Sequence, residues 1–462
     1  MEVSRCLEIK MKEEKTMNKR IITLFAALVL ASLSLNAQTW LLEDHRLAFR
    51  NNPALAGDTD FISIGEYNST SRANIGASAF LYPHEGRVVT GLHKSVPAET
   101  FLNNLQPLNY SFGQIDYNLV SYGFAKGAAF HTVEVNVRGQ YDYALTSDIF
   151  HLAKLGTVEP QYSLSGTGAQ GNTYAELAYG YTRKLGDVVT LGARAKLLLG
   201  LLAGSYQFKR FDLIMTDEAY IAHIDAELGL TNRLNKINPD EDDYLNFLDI
   251  TAKGKWSGPC GGGLAVDLGI KIEPVENLTI DASILDLGGI LWYLGNSGES
   301  SGTATFTGLS DITYEEFNEK GLKNQLNEVK DDFLETLRLR TPQSVTRWKT
   351  LPFRAQASIK YAMPFYDRLR VGAHAQYQNA GEMSYWLWSG GLGIRPLNWL
   401  DLSASLGGGT YGLAMDAAAT VRILRFRLTA SYHNGFGGTI PYTSTPLQAN
   451  CKIVSLGLTF DI

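Results

Sequence analysis

Past residue 35, this chain of 462 residues has no uninterrupted apolar run long enough to cross a bilayer as a helix, which needs about 20 residues. It also lacks an excess of basic residues. The formal net charge is −6, so nothing points to nucleic acid. Cysteine is scarce, at Cys6, Cys260 and Cys451. Cys6 falls in the leader described below. The other two are far apart and read as unpaired structural thiols rather than a disulfide framework. No Walker loop, zincin motif, paired Cys-x-x-Cys or nucleophile elbow occurs, so no enzyme activity, cofactor or metal is expected.

What the chain does have is alternation. In the stretch from Phe426 to His433, Phe426, Leu428, Ala430 and Tyr432 alternate with Arg427, Thr429, Ser431 and His433. The last residues repeat this, with Val454, Leu456, Leu458, Phe460 and Ile462 against Ser455, Gly457, Thr459 and Asp461. A period of two puts one set on each face of a strand. Segments of roughly ten such residues recur from Phe61 onward between turn residues, the pattern of an outer-membrane β-barrel. Mean hydropathy near zero (−0.09) fits, because a barrel strand shows lipid only every second residue. The 45 glycines, 23 tyrosines and 20 phenylalanines suit turns and aromatic girdles. A basic side chain facing lipid at mid-membrane costs about 2–4 kcal/mol, so the polar faces must point inward.

The N-terminus reads as a secretory leader over residues 1–37. Met17 to Arg20 is a basic n-region, Ile21 to Leu35 an apolar core, and cleavage would follow Ala37. Residues 1–16 are unlike an n-region and read as a gene-model extension. No cysteine follows the cleavage point to carry a lipid anchor. Gln38 to Asp60 is polar and irregular and would form a periplasmic or lumen-inserted hatch. Residues 61–462 would form one barrel of 14–16 antiparallel strands, an all-β fold with short helices in outer loops.

Connection lengths support that topology. Short turns are expected at Leu424-Arg425, Pro396 to Asn398, Pro364 to Asp367, Pro274 to Asn277, Leu185 to Asp187, Lys126-Gly127 and Tyr82 to Glu85. Longer outer connections are expected at Gly435 to Asn450, Asp286 to Leu351, Thr231 to Pro259 and Gly139 to Gly171, with short ones at Ser69 to Arg72 and Asn379 to Met383. Helices are expected at Pro97 to Leu105, Ser147 to Leu155 and Tyr314 to Arg340, the last a rim cap or a partner-binding helix. The acidic run Asp240 to Asp243 reads as a solvated loop face. Gly261-Gly262-Gly263 reads as relief of crowding at a strand start.

The candidate lumen-lining residues are Glu134, Arg138, Arg194, Lys196, Asp281, Arg354, Lys360, Arg370, His374, Arg422, Arg427 and His433. Two readings are open. The set could select anionic or amphipathic solutes, or it could knit a filled barrel through ion pairs. A hydrolase built on Ser431, His433 and an aspartate is disfavoured, because serine and aspartate are common.

Asn52-Pro53-Ala54, just before the first strand, resembles the Asn-Pro-Ala motif of FadL-like long-chain fatty-acid transporters. That resemblance implies a 14-stranded barrel with a hatch in its lumen, and marks Asn52, Pro53 and Ala54 as hatch residues. A fuller resemblance, across nearly the whole mature chain, is to a family of Bacteroidetes outer-membrane barrels known only as a domain of unknown function. It is carried by residues 174–181 (YAELAYGY), 191–200 (LGARAKLLLG), 265–269 (AVDLG) and 285–288 (LDLG). The expected function is passive uptake or binding of a small amphipathic or hydrophobic solute in the bacterial outer membrane. The alternative is a non-transporting scaffold that holds a partner protein for secretion or surface display. A lumen blocked by Arg–Glu pairs would favour the scaffold; an open apolar pocket would favour transport. The remaining expected partners are outer-membrane lipid and the barrel-assembly machinery, engaged through the C-terminal strand.

Overall fold

The computed structural model describes residues 39–232, 244–245, 258–308, 335–336, 339–340, 344–381, 383–435 and 450–462. Fourteen antiparallel wall positions close on themselves. In chain order they are β1 Phe61–Ala73, β2 Leu108–Lys126, β3 Ala129–Thr146, β4 Gly168–Leu185 with an outer piece Gln161–Ser163, and β5 Val189–Met215. β6 comprises Tyr220–Asn232 and Gly261–Val275, β7 is Leu278–Phe306, and β8 comprises Ser344–Thr350 and Arg354–Met363. Then come β9 Tyr366–Gln378, β10 Tyr385–Leu397, β11 Leu400–Gly409, β12 Gly412–Ile423, β13 Phe426–Gly435 and β14 Asn450–Asp461. β1 closes the ring on β14, from Phe61 opposite Asp461 to Ala73 opposite Asn450. With no free edge at the seam, every wall backbone group can be paired inside the hydrocarbon.

The sorting of faces follows the alternation. Leu191, Leu197, Leu428 and Leu458 are 43–47% exposed on the outer wall, whereas Arg194, Lys196 and Arg427 are 1–2% exposed. Trp348, Trp386 and Trp388 toward one end, and Phe365, Trp399 and Phe426 toward the other, stand exposed as two aromatic belts. Short turns lie at residues 127–128, 186–188, 276–277, 364–365, 398–399 and 424–425, all at the end that carries the C-terminus. No described helix is long and apolar enough to cross a membrane.

Five expected connections need correction. Tyr82 to Glu85 is no barrel turn: Leu81–His84 and Arg87–Thr90 form a separate small hairpin, which removes two strands from the upper count. Ser69 to Arg72 is not a loop, since it pairs on both sides within β1. The stretch 231–259 is not the tip of a hairpin. The tip is at residues 216–219; Asn232 pairs with Leu202 and Gly261 with Gly200, so β6 leaves the wall and returns one position lower. Much of 286–351 and 139–171 is likewise strand, because β5 and β7 run 27 and 29 residues where about ten suffice to cross. Their surplus rises above the bilayer as a lobe. Against it packs the helix Ser147–Leu155, whose Ile149 and Leu152 meet a cluster including Tyr162, Phe211 and Ile224. A short helix, Ala98–Leu102, also forms. The acidic run 240–243, most of 314–340 and the interior of the 435–450 connection lie outside the described residues.

Candidate functional site

The segment 39–60 runs through the lumen, and the wall is shaped to receive it. Asn52 is fully buried. Its Nδ2 donates to Ile270 O, Asp281 Oδ1 and Ala282 O, each at 3.2 Å, while its Oδ1 accepts from Ala54 N at 3.0 Å. Pro53 O accepts from Thr182 Oγ1 at 2.6 Å. Two glycines make room. A Cβ on Gly269 would lie 2.0 Å from Asn52 Oδ1, and one on Gly192 would lie 2.2 Å from the Pro53 carbonyl carbon. Neighbouring Asn51 O accepts from Ser283 Oγ (2.8 Å) and Gln356 Nε2 (2.6 Å). Leu47 and Phe49 of the segment pack on Phe61 and Phe130 of the wall. Burying two such side chains contributes about 1.5–3 kcal/mol each.

Arg50 is the electrostatic centre of the segment. It pairs with Glu66, with Asp116 at 2.8 Å and with Glu134 at 3.2 Å. The wall continues the belt. Arg138 meets Asp116 (3.2 Å), Glu176 (3.3 Å) and Asp286 (2.7 Å). Arg194 meets Glu134 (2.6 Å) and Asp267 (2.7 Å), and Lys196 meets Asp267 (2.7 Å) and Asp286 (2.6 Å). Asp286 has a left-handed backbone (φ 63°) opposite the kink between Thr350 and Arg354. Its backbone N–H donates to Asp267. That conformation costs an L-residue roughly 1–3 kcal/mol, offset here by two ion pairs. Four cations thus face six carboxylates: Arg50, Arg138, Arg194 and Lys196 against Glu66, Asp116, Glu134, Glu176, Asp267 and Asp286. Without Arg50 the wall keeps three cations for the same six.

A second group lies nearer the periplasmic end. Arg370 pairs with Glu43 (2.9 Å) and Asp401, and Asp401 Oδ2 accepts the backbone N–H groups of Glu43 (2.7 Å) and Asp44 (3.1 Å). Arg427 pairs with Asp44 (2.8 Å) and Asp461. His45 is buried in the segment. Burial, with the charge of Arg50 beside it, pushes its imidazole down to about 4.

Eleven of the twelve expected lining residues therefore face the interior. Arg354 and Lys360 are half-buried, with Arg354 on Asn51 Oδ1 (3.3 Å) and Lys360 on Asp281 (3.2 Å). Arg422 is the exception: it shares the inward parity but sits at the strand end, exposed beside Leu424 O. Sequence reasoning missed most of the acidic half of the belt. Glu176, Asp267 and Asp286 stood inside the very motifs that carried the family resemblance; parity beside Ala and Leu was the signal available for Glu176 and Asp267, whereas Asp286 has outward parity and turns inward only at its left-handed bulge.

Beside and beyond the 39–60 segment the lumen changes character. A cavity of about 110 Å³ lies against the segment itself, lined by Trp40, Arg50 and Asn51 and by Asp116, Arg138 and His374 of the wall. Over it, Arg72 is fully buried, with its guanidinium 4.1 Å from the Phe112 ring and 4.3 Å from the Tyr385 ring. Beyond Phe112 opens a vestibule of about 920 Å³, whose lining includes Gln140, Tyr206, Lys349, Leu351 and Phe353. Leu351 also belongs to a buried inward cluster with Tyr174, Leu198, Ile290 and Trp292. The interior is therefore not uniformly polar, as the alternation had suggested. Among the glycines of 261–263, a Cβ on Gly263 would lie 2.1 Å from Gly289 O.

A closed fourteen-stranded barrel with an ionic interior and a greasy, aromatic-belted exterior is an integral protein of the bacterial outer membrane. The chain belongs to the family of unknown function DUF5723, which matches residues 53–431. Among solved structures it is similar to a Pseudomonas aeruginosa FadL homologue, at 12% identity and TM-score 0.50 over 93% of this chain and 98% of that one. It is also similar to the Pseudomonas putida toluene transporter TodX (8%, 0.46, 94% and 96%) and the Ralstonia pickettii toluene transporter TbuX (8%, 0.47, 93% and 99%). At such identities the likeness is one of fold. No curated protein matches the chain in sequence.

Proposed function

We propose that the barrel takes a small amphipathic or hydrophobic solute into its outer vestibule and lets it pass inward when the 39–60 segment shifts. One observation carries this reading. The vestibule meets, on one side, an apolar cluster through Leu351 and, on another, the Phe112 ring that stacks on the buried cation Arg72. An apolar body and a polar head would each find a complementary wall. Passage then requires movement of the segment seated on Gly192 and Gly269, because the segment and the ion-pair belt leave a cavity of only about 110 Å³ between them.

The test is solute flux in liposomes with and without residues 38–60. Flux should rise in the deletion, and the opened lumen should prefer cations, given three cations against six carboxylates. Unchanged flux through an intact barrel would count against passage.

The packed belt is also the observation that favours a second reading, a scaffold that transports nothing. Its expected signature is no flux of any solute in either form, together with a bound surface protein retained by the lobe of β5 to β7.

A further inference from the structure

On the outer wall, at the periplasmic end, three neighbouring strands present their outward residues in ordered rows. In the edge row, Lys126 of β2, Ala129 of β3 and Arg183 of β4 stand side by side. The next row is Phe124, His131 and Tyr181, and the one beyond it is Tyr122, Val133 and Tyr179. Tyr122, Tyr179 and Tyr181 are 39–48% exposed, so these rows face lipid. Their rings touch one another. Phe124 stacks on Tyr122 with centroids 5.2 Å apart and on His131 at 5.1 Å, and Tyr181 meets His131 edge-on at 5.4 Å. A histidine in a lipid-facing row calls for a reason, because an imidazole loses its hydrogen bonds to water in hydrocarbon. Its Nδ1 lies 2.7 Å from Tyr179 Oη, and its Nε2 has no protein partner among the described residues. With Tyr179 donating to Nδ1, the ring proton sits on Nε2 and can be given to an acceptor outside the protein.

The edge row is basic and unpaired. Lys126 and Arg183 are exposed, and no carboxylate pairs with either among the described residues. The acidic neighbours are Asp60, whose Oδ1 accepts from Ala125 N at 2.8 Å, and Asp187 in the turn after β4. By contrast, Arg370 and Arg395 at this end are taken up by Glu43, Arg427 by Asp44, and Arg422 by Leu424 O. Ala129 leaves the row with no bulky side chain between its two cations. Directly paired residues have Cα atoms about 5 Å apart, which puts Lys126 and Arg183 about 10 Å apart, within joint reach of one tetrahedral anion.

We propose that this face binds one anionic glycerophospholipid of the periplasmic leaflet, with its phosphate between Lys126 and Arg183, an ester carbonyl on His131 Nε2 and an acyl chain along Val133 and Tyr179. The order of the rows is the order of the groups down the lipid: phosphate, ester, hydrocarbon. Two cations without a balancing carboxylate favour a headgroup of net negative charge over a zwitterion, whose ammonium they repel. The ring cluster suits the interfacial depth at which glycerol and ester groups lie. A free phosphate ion would use the edge row alone and leave His131 Nε2 unpartnered, so the lipid is the better occupant. The site does not depend on whether the lumen passes a solute.

Native mass spectrometry of the full chain, released from detergent, reads bound lipid directly. Phosphatidylglycerol and phosphatidylethanolamine with identical acyl chains compete for the unaltered protein, with ether-linked phosphatidylglycerol and inorganic phosphate as further arms. A basic residue near a lipid surface is worth about 5-fold in affinity, so phosphatidylglycerol should be preferred by ~5-fold. On the same scale, K126Q and R183Q should each lose about 5-fold and the double variant about 25-fold. R425Q, which removes a basic turn residue at the same end, should change nothing. H131F should cost the ester lipid ~5-fold, the worth of one hydrogen bond, and leave the ether lipid unchanged. Equal retention of the two lipid classes would overturn the proposal. So would an R425Q loss as large as that of K126Q, ester and ether lipids that bind the unaltered protein alike, or displacement of the lipid by inorganic phosphate. The lipid comparisons need only the unaltered protein, so they decide alone if a variant does not assemble.

Discussion

The lumen has two regions built on opposite plans. At mid-height, four cations and six carboxylates are buried against one another and against the 39–60 segment in a network of ion pairs. At the mouth, one cation lies between two aromatic rings with two N–H groups unpartnered, next to an apolar cluster and a vestibule of about 920 Å³. The mid-height region is charge-paired and leaves a cavity of only about 110 Å³, whereas the mouth is open and chemically mixed. Charges taken out of water demand partners, so a belt of this kind makes one arrangement strongly preferred over others. A region that must accept different occupants cannot be satisfied in advance. Under the proposed function, the belt would close the lumen and the mouth would receive the solute.

Four substitutions or conditions sharpen that contrast. Arg50→Ala should have the largest effect. Removing one partner from a buried ionic network costs about 3–5 kcal/mol, here by leaving Glu66, Asp116 and Glu134 short of a cation. Thermal unfolding in detergent should fall, and single-channel conductance should appear. A stable, silent barrel would show that the belt does not hold the hatch. Gly269→Ala should come next, at ~1–3 kcal/mol of overpacking against Asn52. Limited proteolysis should cut residues 39–60 faster while the barrel keeps its gel shift.

At the mouth, Arg72→Gln removes a cation sandwiched by two rings, worth roughly 0.5–2 kcal/mol. It should weaken retention of an anionic amphiphile, measured by tryptophan quenching, and leave hatch proteolysis unchanged. If proteolysis also accelerates, the two regions are coupled and the contrast fails. The smallest effect is acid loosening of the hatch. His45 titrates near 4 when buried and near 6.5 when free, so protonation favours the released segment. Its contribution is complete above about pH 6.5 and is lost as pH falls through about 4. Cysteine-labelling of the segment should rise over that window, and His45→Gln should flatten the rise.

Much of this was legible in the residues. Alternation in Leu191 to Leu197 and in Phe426 to His433 was enough to place Arg194, Lys196, Arg427 and His433 inside, because one buried face and one lipid face forbid a one-residue slip. The helix Ser147–Leu155 was legible as written. Arg422 misled because parity says which way a side chain points but not whether the strand is still inside the barrel at that height. The strand count stopped at fourteen because alternation cannot tell a wall strand from the separate hairpin of Leu81–His84 and Arg87–Thr90.

The sequence by itself determined the two faces, the closed wall and the membrane to the extent that a local period of two can speak. The tertiary structure alone decided which carboxylate meets which cation, that Glu43 and Asp401 touch across 358 residues of chain, and that Arg72 comes opposite Cys451 on the neighbouring strand. The physical reason is range. Side-chain direction is set by neighbours one and two residues away, whereas partners across a lumen are set by the register of fourteen wall positions closing at once.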